Sequence, residues 1–408
     1  MNGVPPELLT ARASWSRLTE PGDTLAGAVV AALGPIDALD WLREIAPAAQ
    51  RDGTIGTAGL PPSAAGQLAV AVRRWLPRLS VLDVARELGV LERLGGRLLV
   101  PEGVGWPQGL RDLGPAAPHC LWVRGALDVG SLLVRSVAVI GARACTAYGE
   151  HVTAELAGGL VAAGWTVVSG GAYGVDAVAH RAALAGGGRS VAFLAGGVDR
   201  PYPAGNARLL RALIDSGGAV ASEVPPGSVP SKVRFLQRNR LIAAASRAAV
   251  VVEAAWRSGA LNTAAHAASL LRPVGAVPGP VTSAASAGCH RLLRSGSAVC
   301  VTDASEVLDL AGAVGCDLAV EPTAASRPED GFPVELRRTL DALPVRRGAD
   351  VESLARSAGL AVAEVRAALG RLELAGLATR TGTRWTRTYV LHDQDGTGQV
   401  TQFTDPVA

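Results

Sequence analysis

Residues 136–143 have the sequence Ser-Val-Ala-Val-Ile-Gly-Ala-Arg, a short apolar run that ends in a glycine turn. Similar runs recur through the middle of the chain, and helix-length segments such as 150–163 and 176–184 separate them. Most of them are continuous rather than alternating, which is typical of parallel strands covered by helices on both faces. The runs are Ser136–Ile140, Thr166–Ser169, Ser190–Leu194, Ala219–Ser222, Ala249–Glu253, Gly275–Pro278 and Ala298–Thr302. They predict an extended, Rossmann-like, doubly wound α/β sheet.

The sequence on either side of this core has a different pattern. Residues 1–75 have helical periodicity, with Asp23 as a helix cap and Gly34–Pro35 as a stop, and they predict a helical domain of the SAM or helix-hairpin-helix type. Three helical patterns and a Thr- and Arg-rich strand pair near the C-terminus predict a winged helix. We therefore predict a helical domain at 1–75, a core at 76–315, a linker at 316–332, a winged helix at 333–392 and a disordered tail at 393–408.

Composition limits the classes of function. The 408 residues are 49% hydrophobic and 18% charged, as in a globular protein, and the net charge is only +3. Any affinity for nucleic acid must therefore come from a local patch. The five cysteines are scattered without metal-ligand spacing, and no apolar run approaches the roughly 20 residues of a membrane helix. The sequence predicts a reduced, cytoplasmic protein without a membrane segment or a metal site.

Three of the apolar runs end in glycine turns that begin helices. They are Gly141-Ala-Arg143, Ser169-Gly170-Gly171 with Gly174 shortly after, and Gly196-Gly197. Backbone amides at such turns and the dipole of the following helix favour anions. Because these turns lie along one edge of a parallel sheet, they predict an anion-binding crevice with outward-facing amides. Asp176, just beyond the second turn, is expected to cap its helix.

Several enzymatic alternatives fit poorly. A phosphate-binding P-loop requires a lysine after its glycines, but Lys232 is the only lysine among the 39 basic residues and follows no such run. The first turn has the sequence G-A-R-A-C-T rather than a dinucleotide fingerprint, and no G-x-S-x-G elbow occurs. We predict no catalytic residues and no cofactor.

A basic and aromatic run follows the fourth strand. No acidic residue occurs between Glu223 and Glu253, and the run contains Lys232, Phe235, Arg238, Asn239 and Arg240. On a helix, positions three and four residues beyond the phenyl ring share its face. Arginines that bind phosphates beside a ring that stacks on a base suit single-stranded nucleic acid. The alternative is a solvated helix face with the ring in the core.

Five strings in this region resemble the DNA-processing family DprA, also called Smf. They are VAVIGARACTAYG (137–149), SGGAYGVDAVAH (169–180), LAGGVDRPYP (194–203), FLQRNRLIA (235–243) and SGALNTA (258–264). The resemblance spans roughly residues 95–315. Two positions depart from the family pattern, Ala142 where serine is common and His290 where asparagine is common.

The resemblance implies a core that binds single-stranded DNA, forms homodimers and loads the RecA recombinase in natural transformation. The implied DNA-binding residues are Gly141, Arg143, Ser169, Gly170, Gly171, Lys232, Phe235, Arg238, Asn239 and Arg240. The terminal domains are similar to family accessories, and the winged helix is expected to contact either DNA or protein.

Two other functions stay open at this point. The related phosphoribohydrolases, the cytokinin-activating lonely-guy family, have a similar core and a P-G-G-x-G-T-x-x-E signature. Here the corresponding stretch, residues 257–263, lacks the paired glycines and the glutamate. A nucleotide sensor with a transcriptional winged helix would prefer a duplex site and respond to a small nucleotide.

Overall fold

The computed structural model describes residues 3–51, 56–126, 128–312 and 331–388. The chain forms two compact units, Met1–Val320 and Glu321–Ala408. Most of the predicted linker (316–332) and all of the predicted tail (393–408) lie outside the described residues. The predicted boundary between residues 75 and 76 stays a prediction.

One sheet forms the centre of the first unit. Its strands, among the described residues, are β1 (Gly96–Leu99), β2 (Leu121–Gly125), β3 (Ser136–Ile140), β4 (Thr166–Ser169), β5 (Ser190–Leu194), β6 (Ala219–Ser222), β7 (Ala248–Val251), β8 (Val274–Ala276) and β9 (Val299–Cys300). Their order is β1-β2-β6-β5-β4-β3-β7-β8-β9. Strands β3 to β9 are parallel, which confirms the seven predicted runs, the last three with slightly different bounds.

The sequence did not predict that the sheet becomes mixed at one end. Strand β2 is antiparallel to β6, and β1 is antiparallel to β2. Both strands lie outside the regular alternation of strand and helix. The pattern that reveals parallel strands therefore does not reveal these two.

Helices cover both faces of the sheet. The described α-helices of the first unit are α1 (Pro6–Leu18), α2 (Thr24–Leu33), α3 (Pro35–Arg51), α4 (Ala65–Leu79), α5 (Val84–Arg93), α6 (Val129–Val134), α7 (Ala147–Ala162), α8 (Val175–Ala185), α9 (Ala207–Asp215), α10 (Lys232–Ala245), α11 (Gly259–Ser269), α12 (Ala287–Arg294) and α13 (Ala304–Ala311). Along β3, Val137 and Val139 pack with α7 and α8, whereas Ala138 and Ile140 pack with α10 and α11. This two-sided burial confirms the doubly wound fold and explains why the strand is apolar at every position.

The N-terminal helices α1 to α4 have a core of their own. The rings of Trp15 and Trp75 meet edge to face at 5.5 Å and lie in this core. Asp23 accepts hydrogen bonds from two amides at the start of α2, and Gly34 ends that helix, as predicted. No single described helix is long and apolar enough to cross a membrane; α2 and the segment Pro35–Ala49 meet the length test only when joined across a 108° bend.

Two carboxylates pair with arginines of α10 beside these helices: Glu20, between α1 and α2, and Glu223, directly after β6. Glu20 accepts a hydrogen bond of 2.9 Å from Nε of Arg234. Nη2 of Arg240 donates to both carboxylate oxygens of Glu223, at 2.6 and 2.7 Å, and both groups are buried. Ser16 on α1 donates to the Glu223 carbonyl at 2.7 Å, which connects α1 to the same place.

The second unit confirms the predicted winged helix. It contains α14 (Val334–Ala342), α15 (Val351–Ala358), α16 (Val362–Leu374), β10 (Ala378–Thr381) and β11 (Arg384–Arg387). The three helices share a core that contains Leu340, Leu354 and Leu369, and β10 and β11 form an antiparallel hairpin.

We expect Glu223→Gln to lower the free energy of unfolding by about 3–5 kcal/mol, because it leaves the Arg240 guanidinium buried without a countercharge. The measurement is chemical denaturation followed by circular dichroism. Glu20→Gln is the matched control: this half-exposed carboxylate should contribute about 1 kcal/mol or less. Equal stability of Glu223→Gln and the unsubstituted protein would contradict the structural role of the pair.

Candidate nucleic-acid interface

A groove of about 960 Å³ lies at the carboxyl edge of the sheet. The chain continues to one side of the sheet after β3 and reaches the other side at β7, so the two neighbouring strands mark a topological switch point. Open α/β sheets bind ligands at such points. The groove is lined by the first glycine turn, the first half of α10 and the loop between β7 and α11. Helices α10 and α11 both begin there, capped by Ser231 and Ser258.

Phe235 is the aromatic centre of the groove. The Arg143 guanidinium lies 4.8 Å from the centroid of its ring, and the Tyr202 ring centroid lies 5.7 Å away. The Phe235 side chain is half-buried, so part of its ring surface stays accessible. The first glycine turn and the basic run, which are far apart in sequence, therefore meet on one surface, as the predicted DNA site requires.

Three exposed cations surround the mouth of the groove. Arg143 and Lys232 are both exposed and line the groove, and Arg257 contributes a third positive charge from the other side. Within the described ranges, none of these three side chains forms an ion pair. Unpaired cations around an accessible ring favour a ligand that is both anionic and aromatic.

Arg238 lies beneath the groove rather than in its mouth. Its side chain is only 6% exposed, and Nη1 donates to the Phe193 carbonyl of β5 at 3.0 Å. Burial lowers the pKa of Arg238 to about 10, although the nearby Asp176 carboxylate favours the charged form. A Cβ on Gly170 would overlap this guanidinium, so a larger residue there would displace Arg238 from its buried position. We expect replacement of Arg238 to destabilise the fold, which makes it a poor test of DNA binding.

Asn239 positions the neighbouring helix. Its Nδ2 donates to the Gly259 carbonyl at 3.3 Å and to Oδ1 of Asn262 at 3.2 Å, and it is buried. These bonds hold the start of α11 against α10. Gly141 lines the groove, and a Cβ there would contact Val175 too closely.

The amides of the second turn do not face outward. The Asp176 carboxylate accepts hydrogen bonds from the amides of Gly170 and Ala172, at 3.1 and 3.2 Å. Burial raises the pKa of Asp176, whereas Arg238 and the amide donors lower it. The sequence predicted that Asp176 caps its helix, and this is wrong. Its carboxylate closes the second turn instead, and Gly174 is the cap residue. The hydroxyl of Ser169 donates to the Val139 carbonyl at 2.7 Å, and Gly171 is buried.

The third turn and the start of α7 are also occupied. The Gly197 amide donates to the Ser228 carbonyl at 3.0 Å, so the third turn holds the loop that precedes α10. Glu253 accepts hydrogen bonds from the amide and the hydroxyl of Thr146, the cap residue of α7. The expectation of outward-facing amides is therefore wrong at Gly170 and Gly197, whose amides already donate to a carboxylate and a carbonyl. For the first turn, residues 141–143, it stays a prediction.

Arg240 lies outside the groove. Its side chain is 3% exposed and paired with Glu223 on the opposite side of α10. Arg234 also faces that side. The basic run is therefore divided between two sides of one helix, and only part of it contributes to the interface.

Sequence reasoning did not identify Tyr202 or Arg257 as groove residues. Tyr202 lies in one of the strings that carried the family resemblance and Arg257 directly precedes another, but neither is three or four residues from Phe235 on a helix. Their position in the sequence could have identified them, because each follows a parallel strand and therefore lies at the carboxyl edge of the sheet, where the groove is.

Comparisons with known proteins identify the family. Residues 97–312 match the family model described as DNA recombination-mediator protein A, and residues 321–382 match the DprA winged helix domain. A Mycobacterium tuberculosis protein named as a DNA processing protein DprA is 43% identical over 391 residues, which cover 92% of this chain and 94% of that protein.

Two solved structures are also similar. DNA processing protein A from Streptococcus pneumoniae is 30% identical with a TM-score of 0.54, and the match covers 67% of this chain and 94% of that one. The Helicobacter pylori protein, described for its single-stranded DNA binding mode, is 28% identical with a TM-score of 0.47 over 52% of this chain and 93% of that one. Because the two family models and a relative that spans almost the whole chain agree, the chain belongs to the DprA family of DNA processing proteins.

Proposed function

We propose that this protein binds single-stranded DNA in the groove and makes or breaks no covalent bond there. The observation that carries the proposal is the contact between the Arg143 guanidinium and the half-buried Phe235 ring, at 4.8 Å, in a groove that also exposes Lys232 and Arg257. Guanidinium and ammonium groups bind phosphates, and an accessible ring stacks on a base. Only unpaired bases can stack in this way, so the arrangement favours a single strand over a duplex.

The occupied amides support binding rather than nucleotide chemistry. Nucleotide-binding Rossmann folds hold a phosphate on free amides at a glycine turn. Here the amides of Gly170 and Ala172 already bind the Asp176 carboxylate. A phosphoribohydrolase would need a different anchor for its substrate. We therefore propose that the chain is not an enzyme, and release of free base from a nucleoside monophosphate would overturn that part of the proposal.

Family membership supports the rest of the proposal. The protein delivers the bound strand to the RecA recombinase, acts as a homodimer and works in the cytoplasm. Gly141, Arg143, Lys232 and Phe235 form the binding surface, Ser169, Gly170 and Gly171 form the layer below it, and Arg238 and Asn239 hold α10 in place.

We expect Arg143→Gln and Lys232→Gln each to weaken binding to an oligonucleotide of about 20 residues. Each change should also reduce the slope of log K against log salt by about 0.7, because one phosphate contact is lost. Fluorescence anisotropy over a salt series measures both quantities. Arg189→Gln is the matched control, an exposed arginine at the opposite edge of the sheet, and should leave the slope unchanged. A double Arg143 and Lys232 variant that keeps the original slope would exclude this groove.

Phe235→Ala should weaken binding by about fivefold to 100-fold, as expected for one lost stacking contact. The salt slope should stay nearly constant, because no charge is removed. Phe235→Tyr keeps the ring and should bind normally. The thermal unfolding midpoint of each variant shows whether the fold is retained, and normal binding by a folded Phe235→Ala would show that the ring contacts no base.

We expect RecA to assemble faster on DNA that carries the unsubstituted protein than on DNA mixed with the double Arg143 and Lys232 variant. The rate of RecA's DNA-dependent ATP hydrolysis measures assembly. Equal rates with both proteins would separate DNA binding from RecA delivery and would remove delivery from the proposal.

A further inference from the structure

Trp256 is an exposed aromatic side chain on the flank of the groove. It lies in the loop between β7 and α11, and its two chain neighbours, Ala255 and Arg257, both line the groove. The side chain is 52% exposed, so packing in the core does not explain its position. A large exposed ring beside a charged groove indicates a contact with another molecule.

The surroundings of Trp256 repeat the arrangement around Phe235. The Arg291 guanidinium of α12 lies 5.2 Å from the centroid of the indole ring, as Arg143 lies 4.8 Å from Phe235. A guanidinium against one side of the ring restricts its motion, and the exposed part of the ring remains accessible to a ligand. Restricting the ring before binding lowers the entropy cost of stacking on it.

The charged side chains closest to Trp256 in the loop and on α12 are arginines. Arg257, Arg291 and Arg294 form no ion pair with any acidic side chain in the described part of the chain. The charges of Arg257 and Arg291 continue the positive surface of Arg143 and Lys232 toward α12. An acidic or purely apolar protein surface would match only half of this combination, whereas a nucleic-acid strand supplies both phosphate and base.

We propose that Trp256 is a second stacking site for single-stranded DNA, where a base of the strand leaving the groove contacts the indole ring. Arg291 is a positioning residue that orients this ring, and Arg257, the next residue in the chain, lines the groove. The inference rests on the proposed function of the groove and extends it. It predicts that a strand must exceed a minimum length before Trp256 contributes to affinity.

The test compares oligothymidylates of about 5 and about 25 nucleotides, since single-strand site sizes are of this order. Trp256→Ala should weaken binding of the long strand by about fivefold or more and leave the short strand unchanged. Trp256→Phe should recover most of the affinity, because it keeps an aromatic face. Phe235→Ala should weaken both lengths. Val134→Ala, an exposed apolar side chain at the opposite edge of the sheet, is the matched control.

Intrinsic fluorescence provides a readout that does not depend on affinity. A base that stacks on an indole quenches its emission, so saturating long DNA should quench the unsubstituted protein more than Trp256→Phe. The short strand should quench both proteins equally.

Each other outcome has a definite meaning. If the unsubstituted protein binds and Trp256→Ala matches it at both lengths, the second site is overturned and the groove stands. If the unsubstituted protein does not bind single-stranded DNA, the proposed function fails and the second site fails with it. Equal weakening at both lengths without recovery by Trp256→Phe would show that Trp256 shapes the groove. Loss of self-association or of RecA contact, with DNA binding intact, would make Trp256 a protein contact instead.

Discussion

The buried guanidinium of Arg238 constrains the geometry of the whole groove. A charge that is withdrawn from water needs compensation, and here the Phe193 carbonyl and the nearby Asp176 carboxylate provide it. The same carboxylate closes the second glycine turn, which must be glycine at position 170 to admit the guanidinium. One buried layer therefore fixes α10, β5 and the turn after β4 relative to one another. Phe235 lies one helical turn away from this layer and takes its position from it.

This layer changes how a familiar fold recognises an anion. In many Rossmann-like proteins, free amides at a helix start bind the phosphate of the ligand. Here Asp176 accepts from the amides of Gly170 and Ala172, and Glu253 accepts from the amide of Thr146. Exposed positive charge at the rim of the groove comes from the side chains of Arg143 and Lys232. Such a surface suits a long polymer with many equivalent phosphates better than a small nucleotide that must be held in one pose.

The sequence predicted the fold well because its signals were local. The apolar strands and glycine turns of the core each depend on neighbours in the chain, and the two antiparallel strands were missed because they are not part of that repeating pattern. The site was predicted less completely, because the partner of each cation is set by packing. Arg238 and Arg240 are two residues apart in one basic run, yet one contacts the β5 backbone beneath the groove and the other pairs with Glu223 behind the helix. Helical spacing places Arg238 and Arg240 on different sides of α10, but it does not say which groups outside the helix each guanidinium contacts.

The attachment of α1 to α4 has a consequence for how the protein can be divided. A shortened protein that begins at β1 would lack Glu20, and it would leave Arg234 and the Glu223 and Arg240 pair open to water. Its α10 would then display cations on both sides, so nonspecific polyanion binding would increase while the groove lost its support. Measurements on an isolated core would therefore overstate its affinity for polyanions of any kind.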